Sequence, residues 1–266
     1  MNIIVCVKQV TDPEAPPGSF KIDPTTGKVI PPSGIAPVIS TFDEYAVEAA
    51  LRLKEKVGGK VTALCLGDKL VRDVVKKPLS MGADDLVLLE DPAFTDGDSW
   101  STAYALSLAI KKIGTYDLIL CGRQAADWDA GQVGLGIAEI LGLPSVTLAR
   151  KVEVEGQKAR VERVIPDGYE LIEVDLPAVI TTSNEHAAPR YPNVKGIIAA
   201  KRKEPIVWKP ADIGAEAAKL GARGRLSQVM KLYQPVRDTQ CEIVAGETPE
   251  EMAVRLAERL REAKVF

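Results

Sequence analysis

The chain is poor in the side chains that carry most enzymatic chemistry. Its 266 residues include one histidine, four cysteines and few aromatics. The lone histidine, His186, lies in a polar stretch. An isolated imidazole there is far more often a surface group than a base or ligand. The cysteines stand at 6, 65, 121 and 241, never in a C-x-x-C spacing. That excludes a zinc ribbon or a thioredoxin-type motif, and no metal site is expected. Cys6, Cys65 and Cys121 sit inside apolar runs, where cysteine acts as a small buried hydrophobe and a reducing compartment fits. The sequence has no G-x-S-x-G elbow, no Walker-type phosphate loop and no G-x-G-x-x-G after its first strand. No catalytic residue is therefore expected.

Strong charge of either sign is also missing. A formal charge of −3 gives no broad attraction to nucleic acid or to anionic membranes. The densest basic patch, Lys201-Arg202-Lys203, reads as a solvated helix end. No apolar run approaches the length of a membrane span, and nothing resembles a leader ahead of the first strand. Neither nucleic-acid binding nor membrane insertion is expected, and the expected location is cytoplasmic.

What is present is a soluble balance of 46% apolar and 27% charged residues, enough for a core held without metal or disulfide. Asn2–Val7, 60–67, 85–90 and 117–121 are short continuous apolar runs. Such runs suit strands covered on both faces. Between them lie helical patterns at 41–57, 70–80 and 98–112. Thr41-Phe-Asp-Glu44 has the spacing of a capping box. Strands alternating with helices argue for an open, mostly parallel sheet covered by helices, a Rossmann-like arrangement. Residues 11–40 hold seven of the eighteen prolines, with a hairpin signal around Asp23-Pro-Thr-Thr-Gly27. After Pro144 the pattern turns to β segments at 145–153, 158–164, 169–174 and 178–182, read as an antiparallel extension. Residues 204–247 show weak periodicity and read as an extended arm. Thr248-Pro-Glu-Glu251 then opens a terminal helix. The expected organisation is an α/β domain over 1–203 and a C-terminal arm with a helix over 204–266.

The most informative segment is Gly122-Arg-Gln-Ala-Ala-Asp-Trp-Asp-Ala-Gly-Gln-Val-Gly134. It follows a strand and runs into a helix whose first-turn N–H groups have no partner within the helix. Gly131 and Gly134 lack a Cβ, so an anion is expected to reach the backbone closely. The segment is thus a candidate phosphate cradle, sited beyond a strand's carboxyl end as ligands in such sheets are. Asp127 and Asp129 oppose phosphate unless they fix the loop or hold sugar hydroxyls, and those are the roles expected of them. A nucleotide site without acid, base or nucleophile favours binding or electron transfer over hydrolysis.

Several motifs, taken in order along the whole chain, resemble the small (beta) subunits of electron transfer flavoproteins. They are Val5-Cys-Val-Lys-Gln-Val10, the Phe42 to Lys56 segment, Met81-Gly-Ala-Asp84, the Gly122–Gly134 loop and Pro189-Arg-Tyr191. The resemblance implies a heterodimer with an alpha subunit that carries the redox FAD. In ordinary members the beta subunit holds a structural AMP. In electron-bifurcating members it holds a second FAD that takes hydride from NADH. The positions matching the family's nucleotide pocket are Cys6, Ser40, Thr41, Phe42, Asp43, Leu66, Gly122, Arg123, Gln124, Ala125, Asp127, Trp128, Asp129, Ala130, Gly131, Gln132, Val133 and Gly134. Phe42 matches the aromatic beside the alpha subunit's flavin. Residues 184–203 match the family's recognition loop, with Pro189, Arg190, Tyr191 and Val194 on it. That loop docks partner dehydrogenases of the acyl-CoA dehydrogenase type, and electrons pass on to a quinone-linked or other acceptor oxidoreductase.

The family commonly has Asn-Pro where Ser40-Thr41 stands, which weakens the carry-over of adenine contacts. Trp128 replaces a smaller or acidic residue and is expected to obstruct an extended FAD. Gln132-Val133-Gly134, in contrast, resembles the bifurcating form. AMP is the expected ligand, with a second FAD as the alternative. A third possibility on a similar fold is a free-standing ATP-binding stress-type homodimer, against which the arm after 204 argues.

Overall fold

The computed structural model describes residues 1–234 and 241–265. The chain divides into two compact units, Met1–Lys231 and Leu232–Phe266. The first is built on a nine-stranded sheet. In chain order its strands are β1 (Asn2–Val7), β2 (Lys60–Gly67), β3 (Asp85–Glu90), β4 (Leu118–Gly122), β5 (Ser145–Glu155), β6 (Lys158–Ile165), β7 (Gly168–Asp175), β8 (Ala178–Thr182) and β9 (Ile206–Trp208). Their spatial order is β7-β6-β5-β8-β4-β1-β2-β3-β9. The ladders from β9 through to β5 are all parallel, and only β5-β6-β7 is antiparallel. The apolar runs of β1, β2, β3 and β4 are buried along nearly their whole length, as both faces are covered.

One face carries α1 (Thr41–Val57), which buries Ala46, Val47, Ala50, Leu51 and Leu53 against Val5, Ala63 and Leu120. The other carries α2 (Ser99–Ile113) and α3 (Val133–Leu141), which pack Leu106, Ile110 and Ile137 against Ile4, Leu64 and Ile119. Each such fully buried Val, Leu or Ile side chain contributes about 1.5–3 kcal/mol. The fold is thus the expected helix-covered, mostly parallel α/β sheet.

The structure departs from several local expectations. Ala178–Thr182 does not belong to the antiparallel extension; β8 inserts between β4 and β5 and runs parallel to both. Thr41 is not a cap. Ser40 precedes the helix without a side-chain cap bond, and Glu44 ion-pairs with Lys77 instead of reaching back. The helical pattern at 70–80 breaks into Arg72–Val75 and Lys77–Met81. Pro78 has no N–H to continue the ladder. Residues 11–40 form the expected hairpin, Lys21–Ile22 on Val29–Ile30, and close with a separate two-stranded ladder of Gln9–Val10 and Val38–Ile39. Within 204–231, β9 adds an edge strand next to β3. Residues 194–202 form α4, capped by the Asn193 side chain, which accepts from Gly196 N–H at 2.7 Å.

In the second unit, α5 (Pro249–Glu262) is capped by Thr248, whose hydroxyl accepts from Glu251 N–H at 3.2 Å. Glu251 turns back to Glu247 N–H rather than to Thr248. The helix buries no residue, and its stripe of Met252 and Leu256 is exposed. Among the described residues no helix is long and apolar enough to cross a membrane.

Candidate nucleotide site

The site lies where β1 and β4 end beside one another and α1 begins. Those two strands are parallel neighbours, with Cys6 in register with Cys121. Both thiols are buried. A hydrogen bond with Cys121, reinforced by burial, holds Cys6 well above the usual thiol range, so it stays a neutral wall. Burial likewise pushes Cys65 up to about 12.

Just beyond the strand ends stands Asp43, on the first turn of α1 and 7% exposed. One carboxylate oxygen accepts Lys8 N–H at 2.8 Å and the other accepts Gly122 N–H at 3.2 Å. A single side chain thus ties β1, β4 and α1 together. Burial pushes Asp43 up from 3.8 to about 7, although those two hydrogen bonds and the Lys8 charge oppose the shift.

The loop from Gly122 is pinned at successive points. Arg123 N–H donates to Thr182 O at 2.9 Å, and its guanidinium lies 4.8 Å from the Phe42 ring centroid. Ala126 N–H donates to the buried Ser40 hydroxyl at 3.3 Å. Asp127 takes both its oxygens to Lys8 Nζ, at 2.8 and 2.7 Å. Asp129 accepts the Gln124 amide at 2.7 Å and closes a turn onto Ala125 O at 2.9 Å. It does so at a φ of 52°, left-handed for a non-glycine residue. The loop-fixing role expected of the two aspartates is therefore present.

The two glycines behave differently. Gly131 has a φ of 66° and meets only Arg123 O at 3.4 Å, so its open side is accessible. Gly134 is not open. A Cβ there would lie 2.9 Å from Thr181 Cγ2 and 3.5 Å from the Cys121 Cβ. Its missing side chain serves the packing of α3 on the sheet, not the approach of an anion. Gln132 supplies no side-chain cap to α3, which leaves the first-turn N–H groups for another acceptor. Arg123 Nε is buried without a hydrogen-bond partner. An uncapped helix end, an open left-handed glycine, an unpaired guanidinium nitrogen and a lysine together fit an adenylate phosphate.

Not every expected residue converges here. Cys6, Ser40, Phe42, Asp43 and the 122–134 loop do, and half-buried Leu66 packs in the same apolar cluster as Cys6. Thr41 is exposed. Trp128 is 53% exposed, so its indole is not fixed by packing. Lys8 was not among the expected contacts; its signal was a cation one residue past the central strand. The recognition segment forms a different surface. Arg190 turns inward, onto Glu48 at 2.8 Å and Glu55 at 2.5 Å. Tyr191 and Val194 point outward, 96% and 74% exposed. His186 is half-buried, and burial lowers it below the usual imidazole range. Among the described residues no cluster could hold a metal ion.

Residues 29–213 match the electron transfer flavoprotein domain family. The chain is 42% identical over 267 residues to an electron transfer flavoprotein subunit beta of Thermoanaerobacterium thermosaccharolyticum, covering 100% of both chains. It is 38% identical over 267 residues to subunit CarD of the caffeyl-CoA reductase-Etf complex of Acetobacterium woodii, again covering 100% of both. An electron transfer flavoprotein subunit beta of Megasphaera elsdenii is 37% identical over 275 residues at the same full coverage.

Proposed function

This chain belongs to the electron transfer flavoprotein family as a beta subunit, and on that premise we propose that it binds AMP in the 122–134 loop and pairs with a FAD-carrying alpha subunit. The heterodimer then takes electrons from acyl-CoA dehydrogenase-type flavoproteins and delivers them to a quinone-linked or other acceptor in the cytoplasm. FAD, held mainly by the alpha subunit, supplies the redox chemistry. This chain supplies position. Asp43 fixes the strand ends, Ser40 and Lys8 close the loop, and Phe42 under Arg123 lies beside the flavin. Residues 184–203 dock the donor through Pro189, Tyr191 and Val194, with Arg190 anchoring the segment on Glu48 and Glu55, and the arm over 204–266 packs on the alpha subunit.

The observation that carries the nucleotide reading is the pinned loop. It is held at Ser40, Lys8 and Thr182 yet leaves Gly131 and the start of α3 open. A second reading puts a second FAD in this subunit, oxidising NADH. Gln132-Val133-Gly134 supports it, as does the full-length similarity to a subunit of a caffeyl-CoA reductase-Etf complex, while Trp128 stands against it.

Denaturing the purified heterodimer and separating the released nucleotides by anion exchange tests both. AMP together with FAD supports the first reading. FAD alone, in excess of one per heterodimer and accompanied by NADH oxidation, supports the second. A complex without any nucleotide in this subunit ends both.

A further inference from the structure

The Lys8–Asp127 ion pair is one of several anchors of the loop, and the one that the others can stand in for. The loop is already held at Arg123, at Ala126 and through the Gln124–Asp129 bond. Lys8 itself is fixed through its backbone, since Asp43 accepts its N–H at 2.8 Å and its carbonyl accepts Ser40 N–H at 2.9 Å. Its ammonium is held by Asp127 alone, which takes it with both carboxylate oxygens. The pair is partly open to solvent, with side chains 42% and 25% exposed. A solvated pair of this kind exchanges partners readily, because little burial energy holds it.

An ammonium clasped by a carboxylate within a phosphate-binding loop poses a charge problem. A phosphate entering the loop meets Asp127 at short range, and like charges repel unless a cation stands between them. Lys8 is the cation the structure offers. Phosphate carries more charge than a carboxylate and presents three acceptor oxygens. We propose that Lys8 is the charged half of the phosphate site and that Asp127 is its placeholder: an adenylate phosphate takes the Lys8 ammonium, and Asp127 gives it up. The inference rests on the nucleotide reading above and assigns to it a residue and an order of events. It applies to AMP, a monoester with three terminal oxygens; each phosphate of FAD carries one charge on two terminal oxygens and competes less strongly for the lysine. No bond is made or broken; one ion pair replaces another.

The test is calorimetric titration of the full chain, stripped of endogenous nucleotide, with AMP and with adenosine. Lys8→Met is expected to weaken AMP binding by about tenfold or more and to leave adenosine unchanged, as loss of a charge-assisted contact requires. Asp127→Asn is expected to tighten AMP binding, because the competitor is gone. AMP affinity unchanged in Lys8→Met overturns the proposal. So does an Asp127→Asn variant that binds AMP no more tightly than wild type, which makes Asp127 a strut rather than a placeholder. Circular dichroism of each variant guards against misfolding, and Lys8→Arg, which keeps the charge, is expected to restore most of the affinity. Wild-type chain that binds neither AMP nor adenosine is a different result, and it fails the nucleotide reading itself.

Discussion

Asp43 reaches Gly122 because Gly122 has no side chain. The carboxylate accepts the Gly122 N–H at 3.2 Å, and a Cβ there would stand 2.5 Å from that same oxygen and 2.8 Å from the Phe42 carbonyl carbon. Both neighbours, one a buried carboxylate and the other backbone, cannot swing aside. Gly122→Ala is therefore expected to destabilise the protein by about 1–3 kcal/mol through overpacking. It should also lower nucleotide content, since the loop begins at this residue. Urea denaturation and nucleotide release measure the two effects. A variant of wild-type stability would mean that α1 can shift without loss.

Asp43 also sets a pH dependence. Its carboxyl rises from 3.8 to about 7, chiefly by burial. Between those values the native state holds a proton that the unfolded chain has released. The contribution of this group to stability is thus full at low pH and falls as pH rises towards about 7. At about 1.4 kcal/mol per pH unit the whole window amounts to at most about 4 kcal/mol. Asp43→Asn has no proton to lose. Wild type is expected to lose stability relative to Asp43→Asn between about pH 4 and about pH 7, and to run parallel to it above that. Parallel stability curves for the two proteins would contradict burial as the cause.

Glu48 behaves in the opposite sense. Burial alone would raise it, but hydrogen bonds from Arg190 and Arg52 outweigh burial and hold it below 4.5. Its contribution is present above about 4.5 and is lost as pH falls through the lower native value. Arg190→Met leaves a carboxylate that is 2% exposed with Arg52 as its remaining cation. Stranding most of a buried charge should cost about 2–4 kcal/mol near neutral pH. Adding Glu48→Gln to that variant is expected to recover part of the loss, because the charge itself is removed. The denaturation midpoints of the three variants decide this.

Tyr191 and Val194 stand exposed beside the inward-turned Arg190. Under the docking proposal, Val194→Ala and Tyr191→Ala should each raise the KM for a reduced acyl-CoA dehydrogenase-type donor by about tenfold, as apolar interface anchors do. Nucleotide content and thermal stability should stay at wild-type levels. Unchanged kinetics with every donor tried would place the docking surface elsewhere.

The cradle has its own test. Gly131→Glu places a carboxylate on the accessible side of a residue whose φ is 66°. AMP binding should fall below detection. Gly131→Ala separates backbone strain from charge, since alanine is strained there too but carries no charge. A Gly131→Glu chain with wild-type AMP content would move the phosphate away from this loop.

Residue pattern alone determined the parallel core. The runs at 2–7, 60–67, 85–90 and 117–121 are continuous and apolar because each strand is covered on both faces. The turn after the fourth run was equally legible as a loop, since glycines and small polar residues between a strand and a helix break both periods. Local pattern said nothing of direction or neighbourhood. Ala178–Thr182 is five buried residues with no mark of parallel or antiparallel pairing, and its place between β4 and β5 depends on the path of the chain around it. Ile206–Trp208 is too short for periodicity to register. The two glycines of the loop look alike in sequence, yet Thr181 and Cys121 close one of them and leave the other open. Lys8 and Asp127 are 119 residues apart, and Asp43 joins two backbone amides that no spacing connects. Charge pairing and close packing act through space, so they were settled only when the strands ended side by side.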